Sequence, residues 1–273
     1  MSRAGMLAIA CAFALAPVVG QAQSEVAKLP VFEVASVKQN KSETAPLKLA
    51  FTSDGVTIEN ATLLNIIRAA YGMFNSVDDK FIGIPNWAKT DRFDIEAKVN
   101  GADAAKFQNL NFDQRQLMVQ ALLADRFRLR THHEVRELPV YLLVVAKNGP
   151  KLQGSKPLEG ADPGGTLKRE PGLITGQNIV VSQLVTALTR TLGRNVIDKT
   201  GRLPDKYDFT LRWSPDEGET QESPGQGGPS RTTDSSGPSI FTAIQEQLGL
   251  KLEPGKGPVD CLVVDRLEKP SAN

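Results

Sequence analysis

The sequence contains few of the residues that form covalent cross-links. It has only two cysteines, Cys11 and Cys261, in a chain of 273 residues. Because Cys11 lies in an N-terminal segment that we expect to be removed, Cys261 would be the single cysteine of the mature protein, and no intramolecular disulfide could form. Cys261 lies in a largely apolar run, and we interpret it as a small buried strand residue rather than a reactive thiol. Stability must therefore come from a hydrophobic core, for which an apolar content of 40% is sufficient.

The chain also lacks an excess of charge of either sign. It has 32 basic residues (lysine and arginine) and 31 acidic ones, and no segment concentrates lysine and arginine without matching acids. A nucleic-acid-binding protein needs a basic patch or stripe. The composition therefore predicts that nucleic acid is not a partner.

Long hydrophobic runs are missing after the N-terminus. Arg3 precedes an apolar stretch over residues 6–19 that is short for a membrane span, and Gly20-Gln21-Ala22 is typical of a signal-peptidase site. These features predict a signal peptide over residues 1–22, cleaved near Ala22. The alternative, a lipoprotein signal that uses Cys11, lacks the expected leucine before the cysteine. We therefore expect a periplasmic or extracellular protein without stable membrane insertion.

The motifs of cofactor-dependent enzymes are absent as well. The chain has no Gly-x-Ser-x-Gly, phosphate loop or dinucleotide fingerprint, so we predict no cofactor and assign no cofactor-binding residue. Asp198-Lys199-Thr200-Gly201 matches the phosphorylation motif of P-type ATPases, but the other parts of such an enzyme are missing, and we interpret it as a turn between strands. His132 and Glu134 could share a strand face, whereas His133 would point to the other face. One histidine and one carboxylate are too few for zinc, so no metal site is predicted.

Two aspartates remain as candidates for chemistry. Asp94 and Asp208 occupy matching positions in two similar segments. Two carboxylates within a few ångströms in one cleft could act as acid and base. Each aspartate also follows a basic residue by two positions, Arg92 or Lys206, which favours a local ion pair on a strand face. We therefore assign no catalytic residue and keep a cell-envelope hydrolase that uses Asp94, Asp208 or His132 as the alternative.

These similar segments belong to a longer internal repeat. Self-similar segments in the same order most simply encode the same supersecondary structure twice. The sequence thus predicts a duplication, with a first unit over residues 29–147, a linker over 148–171 and a second unit over 172–269. The echoed stretches are Asn60-Ala-Thr-Leu-Leu-Asn-Ile-Ile and Asn178-Ile-Val-Val-Ser-Gln-Leu-Val, Asp91-Arg-Phe-Asp-Ile and Asp205-Lys-Tyr-Asp-Phe, and Pro139-Val-Tyr-Leu-Leu-Val-Val and Pro258-Val-Asp-Cys-Leu-Val-Val.

Each unit is predicted to be α+β, with two helices packed on a small mixed β-sheet. A weak period of two predicts an opening strand over residues 32–37. In the first unit the apolar spacing predicts a helix over residues 63–71 that Thr62 caps, and a helix over 112–127 with Asp113 and Gln116 as a capping box. In the second unit it predicts a helix over residues 181–192 that ends at Gly193, and a helix that Ser239 caps and that ends at Gly249.

Each unit is expected to end with two separate strands, over residues 128–136 and 140–146 in the first unit and over 251–252 and 259–264 in the second. Residues 214–238, rich in glycine, proline, serine and glutamate, are expected to form a disordered loop inside the second unit.

In the second half, a predicted helix over residues 184–192 is followed by Asn195-Val196-Ile197-Asp198 and then by a second helix that ends over residues 243–250. This pattern resembles the short N-terminal domain of secretins and TonB-dependent receptors. This resemblance implies that fold for each half. A second resemblance covers nearly the whole mature chain and is to an uncharacterised exported family of acidobacterial (Solibacter-type) bacteria, with related domains attached to membrane antirepressor metallopeptidases. That family implies no activity. The segments that carry it are residues 32–38, 123–127, 137–141 and 247–252.

We expect a non-enzymatic interaction or binding module outside the cytoplasm. Small α+β units with open sheet edges bind partners by strand addition, which requires no catalytic residue. The partner would be a protein or another envelope component, and a role in envelope sensing is compatible with this. Convergence of Asp94, Asp208 and His132 in one pocket would favour the hydrolase instead.

Overall fold

The computed structural model describes residues 29–42, 45–155, 164–201, 203, 206–214 and 237–270. The predicted signal peptide and nearly all of the predicted loop over 214–238 lie outside these residues. The two ends of that loop are adjacent, because the backbone N–H of Ser214 donates to the carbonyl of Pro238 over 2.9 Å. Within the described residues, no helix is long and apolar enough to cross a membrane.

The described residues form a mixed α+β fold of twelve strands and six α-helices. The strands are β1 (Phe32–Asn40), β2 (Lys48–Phe51), β3 (Gly55–Thr62), β4 (Phe81–Ile82), β5 (Arg92–Val99), β6 (Arg130–Val145), β7 (Gln153–Gly154), β8 (Thr166–Glu170), β9 (Leu173–Ile179), β10 (Val196–Asp198), β11 (Tyr207–Arg212) and β12 (Leu250–Arg266). The helices are α1 (Leu63–Ala70), α2 (Asn86–Thr90), α3 (Ala104–Gln108), α4 (Phe112–Arg126), α5 (Val181–Leu192) and α6 (Ile240–Ala243), the last continuing as a π-helical turn over Ile244–Leu248.

The strands form three four-stranded sheets. The first sheet has the order β1-β5-β3-β2 and the third sheet the order β7-β11-β9-β8, and both are antiparallel throughout. The central sheet has the order β10-β6-β12-β4. It is mixed, because β6 and β12 are antiparallel while β10 and β4 run parallel to their neighbours.

The four helices that the apolar spacing predicts, α1, α4, α5 and α6, form at those positions, whereas the short helices α2 and α3 were not predicted. Thr62 caps α1 by accepting a hydrogen bond from the backbone N–H of Asn65, and the helix buries its apolar face. The predicted capping box of α4 was wrong by two residues: Asn111 and Gln114 form it, because the helix begins at Phe112. Gln116 is instead buried, and its amide donates to the carbonyl of Ala69, which ties α4 to the end of α1.

The paired closing strands of each half differ from the prediction. Strands β6 and β12 are each continuous, 16 and 17 residues long, and they pair with each other along nearly their whole length. Pro139 lies opposite Lys256, and Pro258 lies opposite Glu137. A proline removes one ladder hydrogen bond, but here the partner strand holds the chain extended through it. Pairing with a distant segment therefore keeps each strand continuous where the sequence predicted two separate strands.

Every pairing in the central sheet joins the two halves of the chain. Strands β10 and β12 come from the second half and alternate with β6 and β4 from the first. The first core, buried mainly among α1, α4, β3 and β5, also contains Leu262 and Val264 of β12. The second core, among α5, α6, β9 and β11, contains Leu143 of β6. The closing strand of each half thus completes the core of the other half.

The segment predicted as a linker, residues 148–171, is not merely a connection. It contributes β7 and β8, the two edge strands of the third sheet. Short polar strands of this kind give little periodicity, which explains why the sequence pattern missed them. The predicted boundaries of the two units remain a prediction.

Candidate functional site

The longest strand at the edge of a sheet, in the described part of the chain, is β1. This nine-residue strand pairs only with β5. The other edge strands, β2, β4, β7, β8 and β10, have two to five residues. Alternation along β1 turns Val37 into the first core and leaves Val34 exposed. One edge of β1 therefore presents backbone donors and acceptors that no described strand uses.

An apolar groove runs beside this edge, between β1 and α4. Its volume is about 260 Å³. Phe32 and Ala35 line it from the strand, and Leu117, Ala121 and Leu122 line it from the helix. Leu117 and Ala121 lie four residues apart, so they share one face of α4. We refer to this feature as the β1–α4 groove.

The rims of the groove expose large apolar side chains. Val31 is 67% exposed and Leu117 is 51% exposed. At one end of the groove, Asp125 and Arg126 form an ion pair over 3.2 Å, so neither charge is left unbalanced. An apolar groove next to an open strand is suited to an extended peptide, whose backbone pairs with the strand while alternate side chains enter the groove.

Asp94 has a structural environment rather than a catalytic one. Its Oδ1 accepts hydrogen bonds from the backbone N–H of Asn60 and from the side-chain amide of Asn40, both over 2.8 Å. Asn60 is buried and has a left-handed backbone, with φ of 52°, a conformation that costs energy and needs such support. Arg92 donates to the carbonyl of Asn60 over 3.0 Å. The predicted ion pair between Arg92 and Asp94 was therefore wrong: both side chains hold the backbone of Asn60.

Asp208 lies in a different sheet from Asp94. Its Oδ1 accepts a hydrogen bond from the backbone N–H of Asn178 over 2.7 Å, and Asn178 is also left-handed, with φ of 55°. Asp208 is exposed on β11 and lines a polar cleft on the third sheet, whereas Asp94 on the first sheet is not among the described residues of that cleft. The structure does not bring the two carboxylates into one site.

His132 lies on the central sheet, apart from both aspartates. Its Nδ1 is 2.9 Å from Asp265, and its Nε2 is 3.9 Å from Glu134. A hydrogen bond from Arg136 lowers the pKa of the Glu134 carboxyl below its usual range. His133 contacts a different carboxylate, Asp260, over 3.0 Å. Among the residues that the structure describes, no group of three His, Cys, Asp or Glu side chains is arranged to hold a metal ion.

The two remaining candidates from the sequence have structural roles. Cys261 is fully buried in β12, as predicted, and burial raises the pKa of its thiol, which keeps it protonated. Asp198 ends β10, and its Oδ1 accepts hydrogen bonds from the backbone N–H and the hydroxyl of Thr200 over 2.8 and 2.6 Å. This is the turn that the Asp-Lys-Thr-Gly string predicted.

The β1–α4 groove was missed by sequence reasoning. The sequence predicted β1 and α4 as separate elements but carried no signal that they lie side by side at an edge. The available hint was Leu117, which lies outside the buried stripe of α4. A large apolar side chain on the polar side of a helix indicates a contact surface only when several lie together.

Comparison with known proteins gives the chain a family. Residues 64–267 match the family described as "Protein of unknown function (DUF3738)". No curated protein and no solved structure matches the chain. The match covers the central sheet, the third sheet and the part of the first core that follows Leu63, while β1, β2 and β3 precede it. The chain therefore belongs to the DUF3738 family.

Proposed function

We propose that this protein is a non-enzymatic interaction module that binds an extended segment of a partner protein by strand addition along β1. The observation that carries the proposal is the β1–α4 groove: the longest edge strand of the described chain lies beside an apolar channel. Backbone hydrogen bonds to the edge would supply affinity, and the groove would select alternate side chains.

The lining of the groove defines the chemistry of the bound segment. Its wall residues Ala35 and Ala121 are small, so the channel can accept aliphatic side chains without rearrangement. Asp125 and Arg126 neutralise each other, and a buried unpaired charge is costly. The partner segment should therefore be extended, with uncharged apolar side chains at every second position.

The hydrolase alternative has weaker support. Asp94, Asp208 and His132 lie on three different sheets. General acid–base catalysis needs groups within hydrogen-bonding reach of one substrate. Asp94 is in addition engaged by Asn40 and Asn60. These positions favour a binding role.

A tryptophan placed in the groove tests the proposal. We expect Ala121→Trp to weaken binding of peptides selected from a displayed library of random sequences by at least about tenfold, because the indole fills the channel. The measurement is a fluorescence-polarisation titration. Ala124→Trp is the matched control, since Ala124 is also exposed on α4 but does not line the groove. Equal affinity for both variants, or failure to select any peptide, would contradict strand addition at this site.

We further propose that the protein is exported and acts in the periplasm or outside the cell. The apolar stretch and the small residues before Gln23 support this location. The intact mass of the protein recovered from its native envelope should correspond to a chain that begins at or near Gln23. A mass that includes Met1, or a lipid on Cys11, would contradict the proposed processing.

An internal duplication with a secretin/TonB-like unit is our proposal for the origin of the fold. Two equivalences support it. The left-handed Asn60 and Asn178 each donate a backbone hydrogen bond to an aspartate, Asp94 or Asp208. The elements β3, α1, β4, β5, α4 and β6 also occur in the same order as β9, α5, β10, β11, α6 and β12.

A further inference from the structure

A second surface, on the outer face of the third sheet, has the properties of a small-molecule site. It is a cleft of about 530 Å³, within the range of about 300–1,000 Å³ that is typical of ligand pockets. Strands β7, β8, β9 and β11 form its floor, while Lys151 and Gln247 line it from outside the sheet. We refer to it as the third-sheet cleft. It is separate from the β1–α4 groove and does not depend on the function proposed for that groove.

The floor of the cleft is polar because of strand alternation. On the other face of the same strands, Ile174 of β9 and Leu211 of β11 point into the second core. The neighbouring residues along each strand, Thr175 and Thr210, therefore face outward into the cleft. Strand pairing brings these outward residues into cross-strand rows. The directly opposed pairs are Gln153 with Asp208, Thr166 with Gln177, Lys168 with Thr175, and Thr175 with Thr210.

Hydrogen bonds hold the end of the cleft in place. The ammonium of Lys151 donates to the carbonyl of Glu246 over 2.7 Å. The amide of Gln247 both accepts from the backbone N–H and donates to the carbonyl of Arg212, over 2.9 and 2.7 Å. The Gln247 contacts join the π-helical turn to β11, and the Lys151 contact joins the segment before β7 to the same turn, so both side chains are held in place without a ligand.

The floor, in contrast, offers unused hydrogen-bonding groups. Within the described residues, the side chains of Gln153, Gln177, Lys168 and Thr175 make no hydrogen bond, although all four line the cleft. Amides and hydroxyls that are already solvated at a cleft can exchange water for the hydroxyl groups of a ligand. The charged groups of the described lining are two lysines and one aspartate, which leaves an excess of one positive charge.

We propose that the third-sheet cleft binds a small acidic saccharide, that is, a hydroxyl-rich ring bearing a carboxylate. The carboxylate pairs with Lys168, and the ring hydroxyls exchange hydrogen bonds with the glutamine and threonine side chains of the floor. Glycoside hydrolysis usually requires a pair of carboxyl groups, and Asp208 is the only carboxylate among the described lining residues. The cleft therefore binds its saccharide without cleaving it.

The test is a titration of the ¹⁵N-labelled protein with D-glucuronate, followed by NMR, with D-glucose as the neutral comparison. We expect D-glucuronate to shift the side-chain amide resonances of Gln153 and Gln177. D-glucose should bind at least about tenfold more weakly, because it lacks the charge. Equal affinity for the two sugars would overturn the acidic class. Shifts confined to other surfaces, or no shifts at all, would overturn the site.

Two pairs of variants locate the contacts. Lys168→Gln should weaken D-glucuronate binding about tenfold, whereas Lys98→Gln on the first sheet should not change it. Thr175→Val removes one hydroxyl without a large change in shape and should weaken binding several-fold. Thr57→Val is its control, since Thr57 is a half-buried threonine on β3. If Lys168→Gln and Thr175→Val bind as tightly as their controls, the proposal is wrong.

Discussion

The two halves of the chain, produced separately as residues 29–147 and 164–270, are each expected to remain without stable cooperative structure. Strand β6 has β10 and β12 as its neighbours, and both belong to the second half. Strand β12 has β6 and β4 as neighbours, and both belong to the first half. A separated half therefore cannot form any pairing of the central sheet, and its longest strand would expose both edges.

Each separated half also has an incomplete core. The first loses Leu262 and Val264, and the second loses Leu143. A domain is stable by only about 5–15 kcal/mol, and each buried aliphatic side chain removed costs about 2–5 kcal/mol. Far-UV circular dichroism and urea titration of each half should show weak structure without a cooperative transition, and an equimolar mixture should regain one. A cooperative transition in residues 29–147 alone would contradict the shared central sheet as the basis of stability.

Leu262→Ala is expected to lower the free energy of unfolding of the whole protein by about 2–5 kcal/mol. Leu262 has 0% exposure and packs in the first core, although it lies near the opposite end of the chain from most of that core. The change removes contacts and leaves a cavity that the surrounding helices cannot readily fill. Urea unfolding monitored by circular dichroism gives the difference in free energy.

Leu47→Ala is the matched control for this substitution. Leu47 is 49% exposed, so the same deletion should change the free energy of unfolding by less than about 1 kcal/mol. Hydrogen exchange adds a second measurement: Leu262→Ala should reduce the protection of amides in α1, which packs in the same core. Equal effects of the two substitutions would show that β12 does not contribute to the first core.

The sequence alone determined the positions of α1, α4, α5 and α6, although it missed the short helices α2 and α3 and placed the capping box of α4 two residues too late. Thr62 and Ser239 cap the helices that were predicted to begin after them. Gly193 and Gly249 end helical segments in the left-handed conformation, with φ of 61° and 64°. These signals are local, because a helix is specified by residues within about four positions of one another and by its caps. The burial of Cys261 followed in the same way from the apolar run around it.

The tertiary structure alone decided how strands from distant parts of the chain meet. Thr131 pairs with Val264 and Leu143 with Leu252, and strand pairing carries no local record of its partner, since the period of two is the same whatever lies alongside. For this reason the sequence predicted neither the continuous β6–β12 pair nor the sharing of cores between halves. It also predicted the strand β1 and the helix α4 without their adjacency. The groove that supports the proposed function exists only because long-range packing places that open edge beside that helix.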